Sequence, residues 1–473
     1  MSEAPTLPPV RRLGQRSTLA YGFGAYAYGV KDFGFSTFLL LFYSQVLHLP
    51  VLMVGLAIMC ALVLDAFIDP AIGFLSDNTR SRWGRRHPWM YASALPIAAG
   101  WILLWNPPAM SQGAQLLWVF ATAVFVRTTI SAYEVPSQAL TPELSADYDE
   151  RTRLTAYRYL FGWLGGMVTL FATYMWLMVG PDGQPDQFNP ANYSAFALFG
   201  AVTMVIAIFI SAIGTHREIG RLPRPEIVRK PLGDHFREMG QTVRNRAFLL
   251  LMLAGLCYYT AQGISFALSN LLYLYVWRFD TLGFALLAPS LFLGATIAFL
   301  MAPRVAARLG KPQAAMFFML AAAILLSTPY VLRLAGLFPD PASSAMLPLL
   351  LSIFSVNTAC SVSATLLGAS MMADVVEDSE AKTGRRSEGV FFAGAFFVQK
   401  CCSGFGIFGA SLIMHYTSFQ GATITPLAID RLTLYFVLSY LVLGFAAAWA
   451  YRNFPFGRAE HVARIEALAK GGN

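Results

Sequence analysis

The chain has 473 residues, of which 56% are hydrophobic and 13% are charged. Soluble proteins carry about 25% charged residues, so this composition argues against an ordinary soluble enzyme and excludes disordered chains and disulfide-rich secreted domains. The net charge of +8 would suggest nucleic acid in a soluble protein, but length and composition fit a large polytopic membrane protein, which we expect not to bind nucleic acid.

Twelve apolar runs follow one another along the chain, each long enough to cross a membrane as a helix. They are residues 19–46, 51–76, 89–107, 114–140, 154–179, 194–214, 247–277, 282–303, 313–332, 345–373, 389–414 and 432–451. Outside the runs, 27 Lys and Arg residues fall on one side of the membrane and only Arg278, Arg333 and Arg431 on the other. The positive-inside rule therefore predicts an all-α protein of the cytoplasmic (inner or plasma) membrane with both termini cytoplasmic.

The longest predicted cytoplasmic connection lies between runs six and seven. This connection is a basic linker (215–246) that separates two six-helix bundles (17–214 and 247–452). An N-terminal tail (1–16) and a C-terminal tail (453–473) flank the bundles. Two six-helix bundles are the layout of the major facilitator fold, which binds its substrate near mid-membrane. The internal repeat is weak in sequence, because the loop after run eight keeps only Arg304, Arg308, Gly310 and Lys311 of the charged loop after run two.

Eight ionisable residues fall inside the runs, where each is costly and therefore a functional candidate. They are the acids Asp32, Asp65, Asp69 and Glu134 and the bases Lys31, Arg127, Arg158 and Lys400. Fixed ion pairs between helices are one interpretation of this balanced set. Asp65 and Asp69 favour another: one helical turn apart, they repel each other unless a cation lies between them. We therefore predict an exchangeable cation site, against the alternative of permanent neutralisation by Lys400 or Arg158.

Run four carries a single polar stripe of Arg127, Ser131, Glu134 and Gln138, which is typical of a helix lining a water-filled cavity. Tyr28 and Asp32 share one face of run one. Lys400 lies too deep in run eleven to reach the interface, so we expect it to face acids of the other half.

Catalytic and nucleotide-binding signatures are missing from the sequence. It contains no H-E-x-x-H, no G-x-S-x-G and no G-x-x-x-x-G-K-[ST] segment, and its six His residues lie in loops, tails or run ends. We therefore expect neither an enzyme nor a cofactor, and the energy for transport must come from an ion gradient or from the substrate's own gradient.

Two segments carry a specific resemblance. One combines LDAFIDP at 64–70 with TRSRWGRRHPW at 79–89, and the other runs from ADVV at 373–376 to KTGRRSEG at 382–389. Both resemble the signature of the glycoside/pentoside/hexuronide:cation symporters, the melibiose permease family within the major facilitator superfamily.

The resemblance implies roles for several residues. Asp65, Asp69 and Ser131 match cation ligands (metal ligands, if the ion is Na⁺), Glu134 and Arg158 match the substrate carboxylate and arginine, and Lys400 matches a coupling lysine near the cation site. We add Asp32, Tyr28 and Gln138 as substrate-binding residues, and Gly73, Asp77, Arg82, Arg85 and Arg86 as a cytoplasmic gate.

Three positions depart from the family pattern. Ile68 replaces an Asn that would supply an oxygen ligand, which weighs against sodium relative to a proton. The family's sugar-binding carboxylate on span one is replaced here by Gly29, and Asp32 follows one turn later. Gln138 stands where the family has an aromatic residue that supports the sugar.

The leading hypothesis is H⁺- or Na⁺-coupled symport of a sugar, glycoside or uronide by a monomer among membrane lipids, through alternating access. An alternative keeps the fold and coupling but carries a lysophospholipid or other amphiphile. A third interpretation, from another class, is a non-transporting scaffold or receptor whose intramembrane charges are static pairs.

Overall fold

The computed structural model describes residues 13–145, 147–221, 245–383, 388–419 and 424–455, and all regular secondary structure in this part of the chain is helical. The predictions for most of the N-terminal tail, for linker residues 222–244 and for C-terminal residues 456–473 lie outside the described residues. So do residues 384–387 of the second signature segment.

The described residues form twelve spans, numbered here in chain order. Span 1 consists of Gln15–Phe23, Tyr26–Phe33 and Leu39–Leu41 with π-helical turns at Gly34–Phe38 and Phe42–Val46. Spans 2 to 6 are Val51–Asp77, His87–Trp105, Gln112–Ala139, Tyr148–Ala172 and Pro190–His216. Spans 7 to 12 are Arg246–Leu271, Thr281–Leu309, Lys311–Leu334, Met346–Thr383, Glu388–Tyr416 and Pro426–Arg452. Shorter pieces are Thr141–Leu144, the π-helical turns Thr173–Leu177 and Leu272–Val276, and the 3₁₀ turn Ile219–Arg221.

Ten of these spans are long and apolar enough to cross a membrane by themselves, judged over the described residues. The other two are span 1, which its π-helical turns divide into short pieces, and span 3, whose 19 residues include three tryptophans. Several spans start where the sequence provides a cap: Asn189, Asn245 and Thr425 each accept a hydrogen bond from a backbone N–H of the first turn. The all-α, twelve-span prediction is therefore confirmed.

The helices group into two compact units. The first unit comprises the described residues among Met1–Phe42 and Cys60–Ile227, and the second those among Tyr43–Met59 and Val228–Asn473. Within the first unit, span 1 packs on spans 5 and 6, and span 3 packs on spans 4 and 6. Within the second, span 7 packs on spans 11 and 12, and span 9 packs on spans 10 and 12. Each neighbour relation of the first unit thus recurs six spans later.

Both units bury aromatic residues in their cores. Trp101, Trp105, Tyr193 and Phe196 form a buried aromatic cluster where spans 3 and 6 meet in the first unit. The second unit buries Trp277 against Tyr330, and it also has a core cluster rich in alanine and methionine, with Ala314, Ala322 and Met371 among its members. Small side chains let helix backbones approach closely, which is the usual way for helices to associate in lipid.

Glycines bring the first and fifth helices of each unit into close contact. A Cβ on Gly29 of span 1 would overlap the carbonyl oxygen of Gly162 and lie 2.7 Å from the backbone N of Gly166, both in span 5. In the second unit, a Cβ on Gly263 of span 7 would lie 2.8 Å from the carbonyl oxygen of Ser403 and 3.0 Å from Cα of Gly406, in span 11. No larger residue fits either contact without moving a helix.

The ends of spans 1 and 7 also match. Each closes with a π-helical turn, Phe42–Val46 or Leu272–Val276. Two residues after each turn, His48 and Arg278 adopt positive φ angles of 54° and 49°, which are uncommon for residues other than glycine. The internal repeat, weak in sequence, is therefore clear in the backbone.

Candidate functional site

An enclosed ion pair joins spans 2 and 4. Asp65 of span 2 is 1% exposed, and its Oδ2 accepts hydrogen bonds from Nε and Nη2 of Arg127 at 3.0 and 2.8 Å. Its Oδ1 accepts a hydrogen bond from the Ser131 hydroxyl at 3.1 Å. Arg127 and Ser131 lie four residues apart on span 4 and therefore face the same side of the helix. The carboxylate is held by at least three donors.

This basic partner is neither of the two that the alternative to a cation site named. The sequence offered Lys400 or Arg158 as the base that would neutralise the aspartates, whereas the structure places the guanidinium of Arg127 on Asp65. The helical spacing could have identified Arg127 as the partner of Asp65. Ser131, which the resemblance grouped with Asp65, lies one turn from Arg127 on the same face of span 4.

Asp69 lies one turn beyond Asp65 on span 2 and is half-buried. Among the described residues, no three or more His, Cys, Asp or Glu side chains come together in a group that could hold a metal ion. Cation binding by Asp65, Asp69 and Ser131 stays a prediction. So does the placement of Lys400 beside them, because Lys400 belongs to the second unit.

A second, more open ion pair joins spans 4 and 5. Nη2 of Arg158 donates to Oε1 of Glu134 at 2.6 Å, and the two side chains are 8% and 13% exposed. The Gln138 amide donates to the same Oε1 at 3.0 Å. Three of the predicted substrate-binding residues therefore lie in one cluster, which we call the Glu134 cluster: Glu134, Gln138 and Arg158.

Ser137 and Tyr21 hold Arg158 in place. Its Nη1 donates to the Ser137 hydroxyl at 2.7 Å, and its guanidinium carbon lies 5.2 Å from the centre of the Tyr21 ring. The Tyr21 hydroxyl donates to the Ser137 carbonyl oxygen at 2.8 Å. A guanidinium fixed by a hydroxyl and an aromatic face presents its remaining N–H groups in a constant direction.

The remaining predicted substrate residues, Tyr28 and Asp32, lie together on span 1 beside Lys31. Nζ of Lys31 lies 3.5 Å from Oδ1 of Asp32 and 4.1 Å from the centre of the Tyr28 ring. The Lys31 side chain is 1% exposed, whereas that of Asp32 is 50% exposed. An acid inside a span with half of its surface accessible needs a water-filled cavity beside it.

The predicted cytoplasmic gate is only partly assembled. Arg85 and Arg86 both donate to Oε1 of Glu143, Arg85 through Nη2 at 2.6 Å and Arg86 through Nε at 3.1 Å. Arg86 also pairs with Asp77. Glu143, which follows span 4, was not predicted.

Two predicted gate residues lie outside this cluster, as far as the described contacts go. Arg82 is exposed and lies over the Trp83 ring at 5.5 Å, and Gly73 faces Val135, whose Cγ1 would be 3.6 Å from an added Cβ. Of the predicted gate residues, Asp77, Arg85 and Arg86 therefore lie in one cluster with Glu143.

Comparison with known proteins concerns the family and the fold of the chain. The sequence profile of the MFS/sugar transport protein family matches residues 20–458. An uncharacterized symporter of Synechocystis (sll1374) is 31% identical over 243 residues, which are 49% of this chain and 41% of that protein. The isoprimeverose transporter of Lactiplantibacillus pentosus is 26% identical over 81% of this chain and 78% of its own length.

Two further similarities differ in extent. A sodium-dependent lysophosphatidylcholine symporter of Danio rerio (1-A) is 30% identical over 31% of this chain and 28% of its own length. The inward-open xylose transporter XylE from E. coli superimposes with a TM-score of 0.62 at 12% identity, over 95% of this chain and 98% of that one. At that identity the likeness concerns the fold alone.

The family profile spans nearly the whole chain, and the matched relatives are transporters rather than enzymes. The protein is thus an integral membrane transporter with the major facilitator fold. It belongs to the MFS/sugar transport protein family, which confirms the resemblance to the glycoside/pentoside/hexuronide:cation symporters carried by its two signature segments.

Proposed function

We propose that the protein imports a sugar, glycoside or uronide together with a cation, H⁺ or Na⁺, by alternating access. The observation that carries the proposal is the Glu134 cluster. Oε1 of Glu134 is shared by Arg158 and Gln138, while the buried Oε2 accepts no hydrogen bond from any described residue. A buried carboxylate oxygen of this kind is an acceptor for a substrate hydroxyl, because leaving it unpaired is costly.

The neighbouring side chains complement a polyhydroxylated substrate. Arg158 can donate to ring or hydroxyl oxygens, the Gln138 amide can donate or accept, and the accessible carboxylate of Asp32 supplies a further acceptor. Tyr28 adds an aromatic ring, one face of which lies under Nζ of Lys31 at 4.1 Å. The isoprimeverose transporter among the relatives supports a glycoside as the substrate class.

The coupling part of the proposal concerns Asp65, Asp69, Ser131 and Lys400. Symporters among the relatives support a coupling ion, and two acids one turn apart on span 2 favour a cation near them. In this proposal, ion and substrate together permit closure of the cavity and its reopening on the cytoplasmic side. The cluster of Asp77, Arg85 and Arg86, with Gly73 and Arg82 nearby, controls the cytoplasmic exit.

The cellular setting belongs to the same proposal. The charge asymmetry of the loops supports cytoplasmic termini and a cytoplasmic (inner or plasma) membrane location. We propose a monomer surrounded by lipid that takes a small-molecule substrate and no nucleic acid.

Counterflow of radiolabelled sugars in proteoliposomes tests the function. We expect Glu134→Gln and Arg158→Ala to lower exchange by about 10- to 100-fold, because each removes a charge-assisted hydrogen bond at the substrate. The matched control is Thr129→Val on the same helix, since the Thr129 hydroxyl bonds only its own helix among the described contacts. Unchanged exchange in both cluster variants would refute the assignment of the site.

Lysophospholipid transport is the second candidate, favoured by the short match to the lysophosphatidylcholine symporter. Lysophosphatidylcholine and a panel of glycosides can be compared as competitors of uptake. Competition by the lysolipid and by no sugar would support this candidate, and no exchange of either class would support a non-transporting scaffold or receptor.

A further inference from the structure

We infer that Arg127 is a built-in counter-cation whose guanidinium occupies the position at Asp65 that a metal ion would need, so that sodium does not bind at Asp65 in this protein. The inference rests on the proposed function, since it concerns the coupling ion of the same site. It assigns to Arg127 the role of the residue that determines ion specificity.

The hydrogen bonds of Asp65 are the first step of the argument. A hard metal cation is coordinated by several oxygen atoms whose lone pairs point at the ion. Both Oδ2 and Oδ1 of Asp65 already point at donors, Oδ2 at two N–H groups of Arg127 and Oδ1 at the hydroxyl of Ser131. Ile68, the residue before Asp69, supplies no side-chain oxygen. Both oxygens of Asp65 are therefore engaged, and position 68 supplies none.

The charge and position of Arg127 are the second step. Its side chain is 6% exposed, and its guanidinium carbon lies 5.4 Å from the centre of the Phe35 ring, which restricts where the group can move. An incoming sodium ion would have to displace the guanidinium and leave it buried without its counter-charge. Arginine does not lose its proton in proteins, so it cannot make room for the ion by becoming neutral.

The spacing on span 4 is the third step. Arg127 lies one turn before Ser131, so the guanidinium and the hydroxyl meet the two oxygens of the same carboxylate. A smaller, neutral residue at position 127 would leave Asp65 and Ser131 in place and remove the covalently attached charge. The vacated volume would then be open to a mobile cation.

Sodium binding to the purified full-length protein in detergent tests the inference. Melting temperature is measured in NaCl, LiCl and choline chloride at equal ionic strength, together with saturable ²²Na⁺ binding by equilibrium dialysis. We expect no sodium-specific shift and no saturable binding for the wild type. For Arg127→Ala we expect stabilisation by sodium or lithium of about 2 °C or more, as a ligand specific to the native state produces.

Matched variants separate the guanidinium from general loosening of the helix. Arg127→Lys keeps the charge and should gain no sodium response, whereas the response of Arg127→Ala should be lost when Asp65→Asn is added. Saturable sodium binding to the wild type overturns the inference, and that measurement depends on no variant. A folded Arg127→Ala protein that sodium does not stabilise also overturns it.

The binding measurements are independent of transport. If no substrate is exchanged in proteoliposomes but the sodium responses follow the expected pattern, the proposed function fails and the role of Arg127 stands. If substrate exchange is found and the wild type binds sodium, the proposed function stands and the role of Arg127 fails.

Discussion

Six spans apart along the chain, the two units repeat the same helix neighbours and the same glycine contacts. Their charges at membrane depth differ. The first unit holds the pairs Asp65 with Arg127 and Glu134 with Arg158, as well as Lys31 beside Asp32. In the second unit, Lys400 is the ionisable residue that the sequence places deep within a span. The features that the units share therefore lie in the backbone and the small residues, and the predicted site residues other than Lys400 lie in the first unit.

The two ion pairs between spans of the first unit differ in how far solvent reaches them. The Asp65–Arg127 pair and the Glu134–Arg158 pair both use span 4, which contributes the base to the first pair and the acid to the second. The pair nearer the start of span 4 is almost fully enclosed, with side-chain exposures of 2% and 6%, whereas Glu134 of the other is 13% exposed. Enclosure suits a fixed counter-charge, and accessibility suits a group that exchanges its partner for a substrate.

The largest expected effect comes from breaking the enclosed pair. Asp65→Ala leaves the guanidinium of Arg127 buried without a partner, which we expect to lower the free energy of unfolding by about 3–5 kcal/mol. Melting temperature in detergent measures the change. The double variant Asp65→Leu with Arg127→Met removes both charges and should recover most of the loss, since an apolar replacement of a buried pair is often neutral.

A control comes from the second unit. Arg333 and Asp430 form an ion pair at 3.0 Å with side chains 26% and 51% exposed, so Asp430→Ala should leave the melting temperature nearly unchanged. An Asp65→Ala protein as stable as Asp430→Ala would contradict the difference between the units.

The shared packing predicts equal effects in both units. Gly29→Ala and Gly406→Ala each place a Cβ against helix backbone, for Gly406 at 2.7 Å from Cα of Gly263. We expect each to lower the free energy of unfolding by about 1–3 kcal/mol, because overpacking forces the helices apart. Gly113→Ala is the matched control, since no atom lies within 4 Å of an added Cβ there. Destabilisation in only one unit would indicate that the repeat does not extend to packing energy.

Gly29 also explains a departure from the family pattern. The resemblance puts a sugar carboxylate at this position, but here the backbone of span 5 lies too close for any side chain. The nearest acid, Asp32, lies one turn later on span 1, and its side chain is 50% exposed. The sequence revealed the substitution, and only the helix contact gives its physical reason.

Apolar runs and the two signature segments were sufficient to predict the twelve spans and the family. Periodicity also put Arg127, Ser131, Glu134 and Gln138 on one stripe, but a stripe does not identify the helix that faces it. The partner of Arg127 therefore depended on how span 2 lies against span 4. Glu143 was missed for a related reason, since it belongs to a short helix after span 4 and no local pattern connects it to Arg85 and Arg86.

The smallest expected effect concerns an ion pair after a positive-φ glycine, which occurs once among the described residues of each unit. Gly84 and Gly310, both at positive φ, each precede a base that pairs with an acid farther along the chain, Arg85 with Glu143 and Lys311 with Asp374. Glu143 also binds Arg86, and its partners Arg85 and Arg86 are 25% and 6% exposed, whereas Lys311, the partner of Asp374, is 37% exposed.

Neutralising each acid measures this difference. We expect Glu143→Gln to lower the free energy of unfolding by about 1 kcal/mol, because two guanidinium groups lose a charged acceptor while the amide oxygen keeps part of the hydrogen bonding. Asp374→Asn should cost about 0.5 kcal/mol, since its partner is more exposed to solvent. High salt should reduce the second effect more than the first, because exposed charges are screened more strongly. Equal costs at every salt concentration would mean that the charge asymmetry between the units does not extend to these loops.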